Sequence, residues 1–214
     1  MAKALIIGAG AIGRGYLPWE LKGLTIDFYD TNEVLIDSLN KKKSFTSFMT
    51  FGDSLEVLRV TAENFYSNTD DIDFKKYDIA FICIGPRNIK FLDIKFKEIS
   101  CPLFSLENDD ALVFFLREHL GKDDIFFGVP DVITSLTASP INLKKDPNSL
   151  HTENGVLYLE DNNSIEPDIK LSLPNIKWID KERMIKEWDA KLFIHNTPHC
   201  IAAFYGYLNH CTYL

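Results

Sequence analysis

Short apolar runs alternate with more polar stretches along the chain as far as residue 129. Five runs contain almost no polar side chain, which is typical of parallel strands buried on both faces. They cover residues 3–7, 24–29, 79–84, 103–106 and 125–129. The stretches between them predict helices that end near Lys22, run over 32–40 and 88–99, and begin near Asn108. This alternation predicts a parallel sheet with right-handed crossover connections.

Other segments show different patterns. Residues 44–60 have a strand-like pattern broken at Gly52-Asp53, which predicts a hairpin with its turn there. A further strand is predicted at 155–160. A helix is expected from Asp180 to the end of the chain, with an interruption at Pro198 because proline lacks a backbone N–H.

A glycine-rich turn joins the first predicted strand to the first predicted helix. It reads Gly8-Ala9-Gly10-Ala11-Ile12-Gly13, the G-x-G-x-x-G pattern of dinucleotide-binding turns in its usual context. The first glycine permits the tight turn, the second lets a pyrophosphate approach the backbone, and the third allows close packing of helix on strand. Arg14 follows, either as a contact to the cofactor phosphates or as a solvated surface residue.

Asp30 is the acidic residue expected of such a site. It ends the second predicted strand, where a carboxylate hydrogen-bonds the ribose of NAD and repels the 2′-phosphate of NADP. No arginine follows it, so NAD is the predicted cofactor. Pro18 falls inside the first helix and should end or kink it. Gly85-Pro86 ends another strand on the same side, either against the cofactor or as a plain turn.

A second group of polar residues occurs near the C-terminus. On a helix, Lys191, Asn196 and His199 lie on one side. A lysine, an amide and an imidazole in one cleft suit carbonyl reduction, because the lysine transfers a proton and the amide donates to the developing alkoxide. The same spacing also fits a solvated helix face with incidental polar residues.

Nearby histidine and cysteine residues raise the alternative of a metal site. They are His195, His199, Cys200, His210 and Cys211. The glutamate that accompanies a helical HExxH pair is missing after His195. We therefore predict that no metal is bound.

Composition and charge narrow the range of partners. The net charge of −8 makes nucleic acid and anionic membranes poor partners. No apolar run approaches the ~20 residues that span a bilayer. The four cysteines lack disulfide or zinc-ribbon spacing, and the N-terminus does not resemble a signal peptide, so we expect a cytoplasmic protein.

Motifs along nearly the whole chain resemble the polyol-specific long-chain dehydrogenases, the mannitol dehydrogenase family. They are GAGAIGRGY at 8–16, FYDTN at 28–32, CIGP at 83–86, SLEND at 105–109, LPNI at 173–176 and KLFIHNTPHCIAAFYGYL at 191–208. The resemblance implies a metal-independent, NAD-linked interconversion of a sugar alcohol, or its phosphate, with a ketose. It makes Lys191 the general acid/base, Asn108 and Asn196 an oxyanion-binding pair, and His199 a contact to substrate hydroxyls. Asn108 also fits a plain helix N-cap.

The sequence and the resemblance together imply a Rossmann-type, doubly wound α/β domain with a mainly parallel sheet at 1–179, followed by the start of a helical substrate domain at 180–214. Family members continue further, so we expect an incomplete cleft and, as one consequence, a homo-oligomer. In our alignment, Thr134-Ser135 replaces the Asp-Arg pair that the family carries after the strand at 125–129. The substrate is therefore open between a hexitol phosphate and a hexuronate such as tagaturonate, and an NAD-binding module without catalysis is the remaining alternative.

Overall fold

A computed structural model of the protein describes residues 1–162 and 164–211. The strands in these ranges are β1 Lys3–Ile7, β2 Thr25–Tyr29, β3 Ser44–Phe51, β4 Ser54–Thr61, β5 Phe65–Tyr66, β6 Ile79–Ile82, β7 Leu103–Ser105, β8 Ile125–Asp131, β9 Thr134–Ser135, β10 Leu150–Glu153, β11 Val156–Glu160 and β12 Lys177–Ile179. The α-helices in the same ranges are α1 Leu17–Glu20, α2 Glu33–Lys42, α3 Ala111–Leu120, α4 Pro140–Lys145, α5 Pro167–Ser172, α6 Lys181–Ala190 and α7 Thr197–Leu208.

The larger sheet has the strand order β12-β11-β8-β7-β6-β1-β2-β5. Neighbours from β5 to β8 are all parallel. This is the strand order of a doubly wound dinucleotide-binding sheet, in which the direction of winding reverses between β1 and β6. The predicted α/β class and mainly parallel sheet are therefore confirmed. Ligands of such sheets bind beyond the carboxyl ends of the strands at this reversal.

Apolar side chains cover both faces of this sheet. One cluster contains Phe28, Phe81 and Phe104, and the cluster on the other face contains Leu5 and Ile125. Met184 of α6 belongs to the second cluster and is 1% exposed. The helix that begins the predicted substrate domain therefore packs directly on the larger sheet. The proposed division at residue 180 remains a prediction.

A smaller sheet has the order β4-β3-β10-β9. The β3–β4 hairpin turns at Gly52, whose φ is +57°, so the predicted hairpin is confirmed. β10 pairs in parallel with β3 and was not predicted. Its four residues are too few to show a period, and its partner lies about a hundred residues earlier in the chain.

The predicted helix at 88–99 is wrong. Two 3₁₀ turns, Pro86–Phe91 and Ile94–Glu98, occupy this stretch. Leu92 and Asp93 between them are extended. The carboxylate of Asp93 accepts hydrogen bonds from the N–H of Lys95 and the hydroxyl of Thr69. Because an aspartate offers the backbone an alternative hydrogen-bond partner, the helix does not continue through it.

The helix expected to begin near Asn108 begins instead at Ala111. Asp109 accepts a hydrogen bond from the N–H of Ala111, and Asp110 is the N-cap residue. Both aspartates therefore precede the helix rather than lying in its first turn. Asn108 is not the N-cap, which leaves its side chain available for another role.

Two π-helical turns, Ala11–Tyr16 and Lys191–Asn196, each lead into an α-helix with proline near its start. A wide turn removes the need for the N–H that Pro18 and Pro198 lack. The expected interruption at Pro198 is therefore wrong, because α7 continues past it to Leu208. The first helix continues past Pro18 only as far as Glu20, short of the predicted end.

Candidate active site

The glycine turn contains two glycines that the fold itself requires. Gly8 has a φ of +108°, and a Cβ there would collide with the carbonyl group of Cys83. A Cβ on Gly13 would collide with the carbonyl oxygen of Gly8. These two positions therefore hold the turn against the end of β6.

Gly10 differs because the fold does not require a glycine at this position. Its φ is −84°, which any residue adopts, and no heavy atom lies within 4 Å of a Cβ built on it. It lines two adjoining cavities at the carboxyl ends of β1 and β6. A Cβ would occupy space that a pyrophosphate needs in this kind of turn. The turn therefore fits a dinucleotide.

The first cavity has a volume of about 330 Å³ and is lined by Gly10, Asp30 and Thr31, among other residues. Asp30 accepts hydrogen bonds from the backbone N–H of Ala9 at 2.7 Å and of Asn32 at 2.9 Å. These bonds fix the carboxylate at the end of β2. Asp30 is thus held where such a sheet binds the ribose.

The second cavity, of about 710 Å³, extends from the glycine turn to Lys191. Its lining includes Ala11 and Ile12 of the glycine turn, Gly85-Pro86 after β6, and Asn108 after β7. The predicted site residues from four separate parts of the chain therefore share one cleft. We call this second cavity the cleft.

Lys191 is buried at the wall of the cleft, with 6% of its surface exposed. Its Nζ donates to Asn108 Oδ1 at 2.8 Å and to the carbonyl oxygen of Pro130. Burial lowers the pKa of Lys191, and the carboxylate of Asp131 partly opposes this shift. A lysine with a lowered pKa beside a neutral amide is suited to proton transfer.

Asn196 and His199 do not line the cleft. Asn196 is half-buried at the end of the π-helical turn that begins with Lys191, and His199 is exposed on α7. His199 packs edge-on against the ring of His195, with ring centroids 5.3 Å apart. Of the four residues with predicted catalytic roles, the structure brings Lys191 and Asn108 together. The roles of Asn196 and His199 remain predictions.

Asp131 was missed as a site residue from the sequence. It ends β8, and its Oδ1 lies 3.0 Å from Nδ1 of His195. An aspartate is therefore present just after the predicted strand at 125–129, three residues before the position at which we sought the family's Asp-Arg pair. The replacement of the family's Asp-Arg pair by Thr134-Ser135, which form β9, remains a prediction. A longer predicted strand would have indicated Asp131 as the residue at its carboxyl end, because Pro130-Asp131 continues β8.

Arg14 is neither a surface residue nor part of either cavity lining. It is 6% exposed, and its guanidinium donates to the carbonyl oxygens of Ala9 at 2.5 Å and Asn148 at 2.7 Å. Burial lowers its pKa to about 10. The structure thus gives Arg14 a role in joining the glycine turn to the loop before β10. It does not bring Arg14 to the expected phosphate position.

Glu107 is a second residue missed from the sequence. It directly precedes Asn108, lines the cleft and is 4% exposed. Its carboxylate accepts a hydrogen bond of 2.9 Å from the N–H of Gly85. Burial raises the pKa of Glu107, while the backbone N–H groups of Gly85 and Ile84 oppose the shift. A charged residue after an apolar strand ordinarily indicates a solvated loop, so the sequence did not signal this burial.

Curated relatives with similar sequences share one printed name, mannitol-1-phosphate 5-dehydrogenase. The relative from Mycoplasmopsis pulmonis is 30% identical, and the match covers 99% of this chain and 59% of the relative. The relative from Caldanaerobacter subterraneus subsp. tengcongensis is 26% identical over 100% of this chain and 61% of its own length. The chain is therefore similar to mannitol-1-phosphate 5-dehydrogenases along nearly its whole length. No family model matches the chain.

The chain spans about three fifths of the length of these two relatives. Among solved structures, an octopine dehydrogenase with NADH and L-arginine is similar with a TM-score of 0.65 at 10% identity, over 90% of this chain and 52% of that one. A ketopantoate reductase from Ralstonia eutropha has a TM-score of 0.59 at 16% identity, over 84% and 56%. These similarities show the fold.

Two features of the described residues bear on other classes of function. No helix within 1–162 or 164–211 is long and apolar enough to cross a membrane. Within the same residues, no three histidine, cysteine, aspartate or glutamate side chains form a group that could hold a metal. The cytoplasmic location and the absence of a metal remain predictions.

Proposed function

We propose that the protein is an NAD-dependent oxidoreductase that interconverts a hexitol phosphate, such as mannitol 1-phosphate, and the corresponding ketose phosphate. The observation that carries this proposal is the contact between Lys191 and Asn108 in a cleft that begins at the glycine turn. A buried lysine and an amide that share a cleft with the glycine turn suit proton transfer beside a bound dinucleotide. Similarity to relatives named mannitol-1-phosphate 5-dehydrogenase supports the same reaction class.

The cofactor and the residues of the cleft have separate roles in the proposed reduction. The glycine turn would hold the pyrophosphate of a nicotinamide dinucleotide, which when reduced would supply the hydride for the carbonyl carbon. Lys191 holds at Nζ the proton that the carbonyl oxygen receives, so the products are the alcohol, the oxidised cofactor and a neutral lysine. Because Asn108 Oδ1 accepts from Lys191, its NH₂ group remains free to donate to the developing alkoxide. In this proposal, Asn196 and His199 contact oxygen atoms of the substrate.

The test of this proposal is the absorbance of NADH during incubation of the complete protein with fructose 6-phosphate, fructose and tagaturonate. We expect turnover with fructose 6-phosphate. Faster turnover with tagaturonate would instead identify a hexuronate reductase, the alternative that Thr134-Ser135 leaves open. Binding of NADH without turnover of any of these compounds would indicate the non-catalytic module.

Exchange of Asp30 for asparagine should weaken the preference for NADH over NADPH by roughly tenfold, because the repulsion of the 2′-phosphate is lost. Asparagine retains one oxygen for the N–H of Ala9 but loses the bond that the second oxygen accepts from the N–H of Asn32, so a small loss of stability should accompany the change in preference. Dissociation constants for both nucleotides measure the effect. Asp53→Asn, in the exposed hairpin turn, serves as the control and should leave the preference unchanged. An unchanged preference in the Asp30 variant would contradict the assignment.

Exchange of Asp131 for asparagine should move the alkaline limb of the pH–rate profile for ketose reduction to lower pH. Reduction needs protonated Lys191, so the rate falls as the pH rises through the pKa of this lysine. The carboxylate of Asp131 raises that pKa against the effect of burial, and its removal lowers the pKa further. The pH profile of kcat/KM checks this. The control is Asp189→Asn, because Asp189 is an exposed carboxylate two residues before Lys191, and it should leave the alkaline limb unchanged. If the unmodified protein and both variants have the same alkaline limb, the prediction is wrong.

A further inference from the structure

Glu107 is a buried carboxyl group for which the proposed mechanism has no use. It follows β7 directly, and one of its oxygens accepts from the N–H of Gly85. Gly85 has a φ of +87°, and its turn forms part of the cleft wall. Glutamine in place of Glu107 would keep an oxygen for this hydrogen bond. The charge of Glu107 is therefore dispensable for holding the turn.

No cationic side chain forms an ion pair with Glu107 within the part of the chain that the structure describes. The other titratable groups that line the cleft are Cys83, Asp109 and Lys191. Lys191 directs its ammonium group to Asn108 and Pro130 instead. Burying a carboxylate without a cation costs free energy, so a positively charged ligand in the cleft would stabilise the ionised form of Glu107.

The cleft determines which part of a dinucleotide lies near this carboxyl group. Gly10 and Lys191 both line the cleft, and in the proposed function the pyrophosphate lies at Gly10 while Lys191 transfers the proton. A nicotinamide attached to that pyrophosphate and reacting beside Lys191 shares the cleft with Glu107. The oxidised ring carries a positive charge and the reduced ring carries none.

We propose that Glu107 stabilises the oxidised, positively charged nicotinamide relative to the reduced one, and thereby sets the ratio of the affinities for NAD⁺ and NADH. The inference rests on the proposed dinucleotide site. Attraction between opposite charges in a partly desolvated cleft is stronger than in water, whereas the neutral ring gains almost nothing. Glu107 therefore contributes to the direction in which the reaction is favoured on the protein.

Calorimetric titration of the complete protein with NAD⁺ and with NADH tests the inference without substrate. Glu107→Gln should raise the Kd for NAD⁺ relative to that for NADH by roughly tenfold. Glu20→Gln is a matched control, because Glu20 is also a buried carboxyl with a pKa raised by burial but lies in α1 and lines neither cavity. The ratio should not change in this control.

If Glu107 has only a structural role, Glu107→Gln should weaken the binding of NAD⁺ and NADH equally. The ratio of the two Kd values would then stay unchanged, which would overturn the inference. The unmodified protein gives a second measurement that needs no variant. Burial raises the pKa of Glu107, so the carboxyl group ionises at higher pH than an exposed glutamate does, and NAD⁺ affinity should rise more than NADH affinity as the pH passes through that pKa. Equal pH dependence would also overturn the inference. If neither nucleotide binds the unmodified protein, the proposed function itself fails.

Discussion

Replacement of Lys191 by methionine is expected to reduce ketose reduction by about 10²–10⁴-fold, the usual contribution of a general acid. Methionine has nearly the length of lysine and keeps the buried stem packed, but it cannot supply a proton. The affinity for NADH should change little, because the glycine turn and Asp30 lie at the other end of the site. Turnover by NADH absorbance and nucleotide binding by titration separate the two effects.

Lys186→Met provides the matched control. Lys186 lies one turn earlier, on α6, where its exposed side chain pairs with Glu182. This variant should keep nearly full activity, since exposed ion pairs contribute little. If Lys191→Met retains more than about a tenth of the activity, Lys191 is not the proton donor. The assignment of the cleft as the active site would then lose its main support.

Exchange of Gly10 for alanine is expected to abolish most dinucleotide binding while leaving folding intact. Its Cβ meets nothing in the free protein, so stability should change by no more than about 0.5 kcal/mol. In the complex the same methyl group would occupy the pyrophosphate position. Overpacking of about 1–3 kcal/mol corresponds to a loss of affinity of roughly 10–100-fold. Urea denaturation and titration with NADH measure the two quantities on the same sample.

The contrasting variant is Gly13→Ala, whose Cβ would collide with the carbonyl oxygen of Gly8 in the free protein. This variant should lose about 3 kcal/mol of stability. A Gly10→Ala protein that binds NADH normally would show that the cofactor does not approach this part of the turn. A Gly10→Ala protein as unstable as Gly13→Ala would show that Gly10 is required by the fold.

Much of the larger sheet could be predicted from local pattern. The runs that became β1, β2, β6, β7 and β8 are buried on both faces, so nearly every residue in them is apolar. The hairpin of β3 and β4 was also predictable, because it depends on neighbouring residues and one glycine turn. The stretch at 88–99 was mispredicted, since its buried Ile89 and Phe96 produce a helix-like pattern that Asp93 breaks.

The site was predicted only in part. The glycine turn and Asp30 are local signals with a known geometry, and the family resemblance named Lys191 and Asn108. Burial of Arg14 and Glu107 had no sequence signal, since both side chains are ordinarily solvated. Their burial follows from contacts with Asn148 and Gly85, which come from distant parts of the chain.

The strand series and the dinucleotide turn could be predicted because each depends on interactions between near neighbours, and the parallel winding followed from the alternation of strands and helices. The cleft depends on contacts over long separations, such as the 83 residues between Asn108 and Lys191. Its polar groups acquire their shifted pKa values through burial by helices and strands that are not adjacent in the chain. No periodicity encodes such burial, since it arises when α6 and its π-helical continuation pack beside β8.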